Sequence, residues 1–203
     1  MKIQTENQLS GRATGAIFFA GFGALWILLS LFAKQRVNTA SVSGVLVGLT
    51  LLLLAATRLI RQSKQWPRVP DDPGVGRAFG WINAVQWVTV AAVAFSFAKL
   101  HIDAYVMSAI TAIVGLHLIP LARIFRYPAH YVAGTVLVGW SAASALFLPI
   151  ESMQGTAALG TGIILWASAT VTLVLAFQDA RQSEEQLGVR DIKMDHAARR
   201  PSQ

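Results

Sequence analysis

Three side chains set in long apolar runs are the first candidates for chemistry: Asn83, Gln86 and His117. Asn83 and Gln86 are three residues apart, a spacing that puts both on one face of a helix. Asn83 lies six residues after Arg77, and His117 lies six residues before Arg123. On antiparallel neighbours the two fall at one depth, about 9 Å from those charges at helical rise. Pro120, three residues past His117, removes a backbone donor, frees the carbonyl near Leu116 and favours a kink. Two amides, an imidazole and a free carbonyl are the parts of a small binding site or a proton relay, since ionisable groups inside a membrane are costly and often functional. The same groups also serve as hydrogen bonds that fix one helix against the next, worth on the order of 1 kcal/mol each. The packing role carries the greater weight.

Other chemistry is thin. Zinc needs three or four ligands, and His101, His130 and His196 fall at other levels or in the tail, so no metal site is expected. Asp71 and Asp72, adjacent and flanked by prolines, read as a turn before they read as a cation site. Asp103 is expected to cap the fourth helix, with Asn38 in the equivalent place before the second. Glu151 falls in a short turn. The chain has no cysteine, which excludes disulfides and thiolate catalysis. A nucleophile elbow, a phosphate loop and HExxH are all absent from the sequence. The expectation is no catalytic residue, no metal and no cofactor, hence no enzyme.

The elements that hold these residues are easier to read. Of 203 residues, 54% are hydrophobic and only 13% are charged, against roughly a quarter charged in a soluble domain. The charge is gathered between six apolar runs, about 13–33, 40–60, 78–98, 104–122, 131–150 and 156–178. At 1.5 Å per residue each run crosses a hydrocarbon core of roughly 30 Å. Backbone groups in lipid must satisfy one another, so the runs are helices. The expected fold is all-α: a polytopic membrane protein with six transmembrane helices in three hairpins. A polar N-terminal segment, 1–12, precedes the six-helix domain, 13–178. A charged tail, 179–203, follows it as a short interfacial helix passing into disorder. The prolines and glycine of the longest loop, Arg61 to Arg77, exclude a continuous helix there.

Lys and Arg set the orientation. Lys2, Arg12, Arg58, Arg61, Lys64, Arg68, Arg77, Arg123, Arg126 and the basic tail lie on one side; Lys34, Arg36 and Lys99 lie on the other. The positive-inside rule then places both termini in the cytoplasm. Arg58, Arg61, Arg123 and Arg126 act as boundary anchors, and Trp66, Trp81, Tyr127 and Tyr131 sit near the same boundary. The net charge of +7 therefore points to the lipid bilayer and anionic headgroups, and away from nucleic acid.

The first two hairpins repeat. A shift of 65 residues lays Phe32-Ala33-Lys34 under Phe97-Ala98-Lys99, Arg58 and Arg61 under Arg123 and Arg126, and Gly11-Arg12-Ala13 under Gly76-Arg77-Ala78. A repeat with two crossings keeps its orientation, so the units are parallel and related by rotation about the membrane normal. His117 matches Leu52 in the first copy, so a repeat-wide mechanism does not depend on it. Ala16, Ala20 and Ala24 with Gly21 and Gly23, Gly44-x-x-x-Gly48, and Ala158, Gly160 and Gly162 are small residues that let helices approach, within one chain or between copies.

Glycine-rich two-helix units closing on Arg-x-x-Arg or a single Arg resemble the small bacterial inner-membrane proteins of the acid-resistance type. The segment Val114-Gly115-Leu116-His117-Leu118-Ile119-Pro120-Leu121-Ala122-Arg123 is similar to a stretch of uncharacterised six-helix bacterial membrane proteins. The resemblance covers roughly residues 13–178. It implies a multi-pass protein of the bacterial inner membrane and brings no active site to carry over. Two functions remain. One is a structural, stress-response or partner-binding protein that acts as a homo-oligomer or with a membrane partner. The other is a small transporter or channel subunit for a proton or small solute, with Asn83, Gln86 and His117 lining the path.

Overall fold

The computed structural model describes residues 5–70 and 72–198, with side chains described as far as residue 184. Among the described residues there are six α-helices and no strand: α1 (Glu6–Ala33), α2 (Thr39–Ser63), α3 (Pro73–Lys99), α4 (Val106–Ile124), α5 (Ala129–Phe147) and α6 (Ile150–Ala198). A 3-10 turn, Asp103–Tyr105, leads into α4. All six are long and apolar enough to cross a membrane, α4 when its 3-10 turn is counted with it, which is consistent with a membrane protein.

The helix starts follow local chemistry. Thr5 accepts from the Gln8 amide ahead of α1. Asn38 and Ser41 form a reciprocal capping box at α2, with the Ser41 amide 2.8 Å from Asn38 Oδ1 and the Asn38 amide 3.2 Å from Ser41 Oγ. Asp72 accepts from the Gly74 amide at 2.8 Å, and Pro73 occupies the first helical position, where its missing N–H costs nothing. The loop prolines therefore stop only part of the stretch from Arg61 to Arg77. Asp103 departs from expectation: its side chain makes no capping bond, and α4 starts three residues later. The partner that completes the box at α2 is Ser41; the matching residue is Val106, which offers no hydroxyl.

Three helix ends close alike. Gln35, His101 and Arg126 take left-handed backbone (φ 52°, 57° and 49°). The next amide in each case reaches back to Leu31, Phe97 and Ala122 carbonyls at 2.9, 3.1 and 3.1 Å, the bonding of a Schellman cap.

Other boundaries also move. α1 begins at Glu6, so most of the polar N-terminal segment is helix. α6 begins at Ile150, so Glu151 lies in a first helical turn and the expected turn 151–155 is helical. The tail is no separate helix: α6 runs on to Ala198, about 73 Å at helical rise. Residues 1–4, 71 and 199–203 lie outside the described residues.

α6 is the hub, packing against α1, α2, α4 and α5. Its buried stripe is Met153, Ala157, Ala158, Thr161, Leu165, Ala169, Leu173, Ala176 and Ala180. Ala13, Ala16, Ala20, Gly23 and Ala24 of α1 lie buried in turn. Each helix also packs on its hairpin partner, and α5 packs on α4. α3 stands apart. It packs on α4 and the 3-10 turn, and has no buried residue.

Glycines set the closest approaches. A Cβ on Gly115 would stand 2.7 Å from the Gly134 carbonyl oxygen, and one on Gly134 would stand 2.6 Å from that of Gly115. These are backbone contacts between α4 and α5. Between α6 and α1 the matching pair is Gly162 and Gly23, with a Gly162 Cβ 2.8 Å from the Gly23 oxygen. Two tryptophans use the remaining notches. Trp166 lies over Gly23 and Gly48 and donates to the Ala20 carbonyl at 2.9 Å. Trp140 lies over Gly160 and donates to the Ala157 carbonyl at 3.0 Å. Gly21 and Gly44 face open space, so the Gly44-x-x-x-Gly48 motif works at one end only.

Candidate functional site

Asn83, Gln86 and His117 do not assemble into a hydrogen-bonded trio. Asn83 turns its amide back on its own helix, donating to the Phe79 carbonyl at 2.9 Å. Gln86 makes no hydrogen bond among the described residues. His117 lies against the backbone of Ile82 on α3, so the expected depth match across α3 and α4 holds. Its Nδ1 is buried without a partner. The physical reason is local: an amide on a peripheral helix finds a carbonyl one turn back more cheaply than a partner on a second helix. Pro120 sits inside α4, which continues through it to Ile124.

The imidazole that the structure brings near His117 is His130, at the start of α5, and the two lie within electrostatic reach of each other. His130 is buried, and its Nδ1 also lacks a partner. Aromatic rings enclose it. Tyr127 meets it edge-on at 5.1 Å, Phe19 is tilted at 5.5 Å, and Phe125 lies at 6.4 Å. Tyr127 continues the cluster outward, with its hydroxyl 3.3 Å from Thr172 Oγ1 and the Arg12 guanidinium 5.2 Å above its ring. Arg12 forms an ion pair with Asp179 of α6. α1, the α4–α5 turn and α6 are thereby tied together at the end of the bundle nearest the N-terminus.

Toward the other end the interior is polar but closed. Ser108 and Ser144 share a hydrogen bond of 2.8 Å, Ser141 donates to the Ser108 carbonyl at 2.7 Å, and Ser144 donates to the Ser141 carbonyl at 2.9 Å. One turn further in, Thr111 and Thr161 share a bond of 2.7 Å between α4 and α6. Every hydroxyl in this seam has a partner, as buried polar groups require. Leu118, Leu137, Leu165 and the Gly115–Gly134 contact separate the seam from the histidine end. Two surface clefts flank the bundle. One, of about 240 Å³, opens beside Ser108 and Ser141; the other, of about 610 Å³, lies between α2 and α6. Neither is lined by His117 or His130.

The anchor arginines Arg58, Arg61, Arg123 and Arg126 are all exposed. Trp66 differs from its expected boundary position. It is buried in the same apolar cluster as Leu9, because the loop folds back on α1 through Glu6 N–H to Pro67 carbonyl (3.1 Å) and Val69 N–H to Asn7 Oδ1 (3.1 Å). Sequence reasoning missed the Arg12–Asp179 pair, the serine and threonine seam and the cage around His130. The positions of Ser141 and Ser144, three apart on one helix, were a visible signal for the seam; nothing in the chain linked Arg12 to a residue 167 positions away. Among the described residues no group of histidines and carboxylates could hold a metal ion.

No family model, curated protein or solved structure matches this chain.

Proposed function

We propose that this chain is a non-enzymatic, multi-pass protein of the bacterial inner membrane with a structural, stress-response or partner-binding role, both termini in the cytoplasm. The observation that carries the reading is how the interior is used. Reciprocal glycine contacts bring α4 to α5 and α6 to α1 at backbone distance, and the buried hydroxyls between them bond to one another. An interior closed in this way resists sliding of one helix past the next, which a solute pathway needs. The basic end is then a surface for anionic lipid or an acidic partner.

A second reading is proton transfer through His117, supported by two imidazoles, each with a buried, unpaired Nδ1, within electrostatic reach of each other. Purified protein in liposomes carrying a pH-sensitive dye separates the two. Under an imposed potential, proton flux equal to that of empty liposomes is the expected result. Flux above that level overturns the structural reading, and its loss in His117→Leu assigns the path to His117. A periplasmic reporter that is active when fused after Arg68 would reverse the orientation.

A further inference from the structure

The groove between α2 and α6 is built differently at its two ends. Leu54 and Ala55 of α2 and Val174 and Phe177 of α6 form its inner part. Arg58 and Gln62 of α2, with Gln178, Arg181 and Glu184 of α6, line its outer part. Leu54 lies four residues before Arg58, about 6 Å deeper, and Val174 lies seven before Arg181, about 10 Å deeper. Neither Arg58 nor Arg181 is engaged in an ion pair among the described residues, so two guanidinium groups on different helices face one opening. Glu184 offsets one of them and leaves the rim with a net positive charge.

We propose that this groove is a binding site for one anionic phospholipid, with the phosphate held between Arg58 and Arg181 and an acyl chain lying along Leu54, Val174 and Phe177. Three features converge on that occupant. Guanidinium groups match phosphate oxygens with paired donors. The apolar wall begins one turn inside the charges, as a lipid's does. Basic pockets between membrane helices at the headgroup level are the chemistry that retains such lipids. Gln62 and Gln178 supply neutral donors and acceptors for the remaining headgroup oxygens. α6 reaches α2 through the Trp166 ring over Gly48, and the groove lies beyond that contact toward Arg58, so the lipid fills the space that side chains leave.

The site rests on the membrane reading above, and the test separates the two. Full-length protein is extracted in mild detergent and titrated with phosphatidylglycerol, phosphatidylethanolamine and phosphatidylcholine under native mass spectrometry. One phosphatidylglycerol retained in preference to the other two is expected. Arg58→Gln combined with Arg181→Gln should weaken that retention about tenfold, and Arg61→Gln with Arg126→Gln should leave it within about twofold. Equal loss in both pairs overturns the site in favour of diffuse surface attraction. Preference for phosphatidylethanolamine overturns the anionic assignment, and displacement by millimolar inorganic phosphate assigns the groove to the free ion. If the double variant fails to fold, photoactivatable phosphatidylglycerol on the wild-type chain decides: labelling outside 54–62 and 174–184 overturns the proposal. A chain that does not partition into membranes at all refutes the membrane reading instead.

Discussion

α6 and α3 are both apolar helices long enough to cross a membrane, yet one is the hub of the bundle and the other is attached at its edge. The difference lies in what each helix turns toward its neighbours and what it turns outward. α6 presents Ala157, Ala158, Thr161, Gly162, Leu165, Ala169 and Ala176, and neighbouring backbones come in close. α3 presents Trp81, Val85, Trp87, Val88 and Phe95, all more than half exposed. Its ring contacts to other helices are Trp87 with Phe22 at 6.4 Å and Phe79 with Phe125 at 5.7 Å. Hydropathy does not separate these helices, because an exposed tryptophan and a buried alanine both count as apolar. Without a hydrophobic force between helices in lipid, close packing decides which associate.

The same contrast divides the junctions between hairpins. α4 meets α5, and α6 meets α1, through a reciprocal glycine pair in each case. Rotation about the membrane normal would require the third junction, α2 with α3, to match. The positions related by the 65-residue shift are Thr50 for Gly115 and Val88 for Gly23. Neither admits a backbone contact, and α3 packs on α4 instead of α2.

Substitutions should break this comparison in a fixed order. Gly115→Leu places a side chain where the Gly134 carbonyl stands and has no relaxed alternative; thermal unfolding in detergent should show a loss of about 3 kcal/mol or more, or no folded protein. Ala91→Leu on exposed α3 should change stability by less than about 0.5 kcal/mol in the same assay. Equal effects at the two sites would remove the distinction between hub and edge. Arg12→Ala should cost about 1–2 kcal/mol, since it strips a charged partner from Asp179 and a cation from the Tyr127 ring; a double-mutant cycle with Asp179→Ala should recover most of that as coupling energy. Thr111→Val should cost about 1 kcal/mol and Thr161→Val a similar amount, with the pair less than additive. The last effect is a gain: His101→Gly should stabilise by up to about 1 kcal/mol, because glycine takes φ 57° without the Cβ penalty.

Much of the architecture was legible in the residues. Six runs bounded by charge gave six helices, Asn38 announced a cap, and Ala16, Ala20 and Ala24 marked a packing face that is buried. The candidate site was less legible. His117 reached the depth expected of it beside α3, but Asn83 satisfied itself locally and Gln86 bonded to nothing among the described residues. A side-chain amide has a carbonyl of its own helix always in reach, so depth alone does not pair it with a residue on another.

The sequence by itself determined where the chain runs along helices and where it turns, because length, apolar composition and caps act within a few residues of one another. Only the tertiary structure decided that α6 lies at the centre, that the third junction stays open, and that Arg12 finds Asp179 across 167 positions. Those outcomes depend on which backbones can touch, and that is settled by the fit of small residues on one helix against the bulk of another far along the chain.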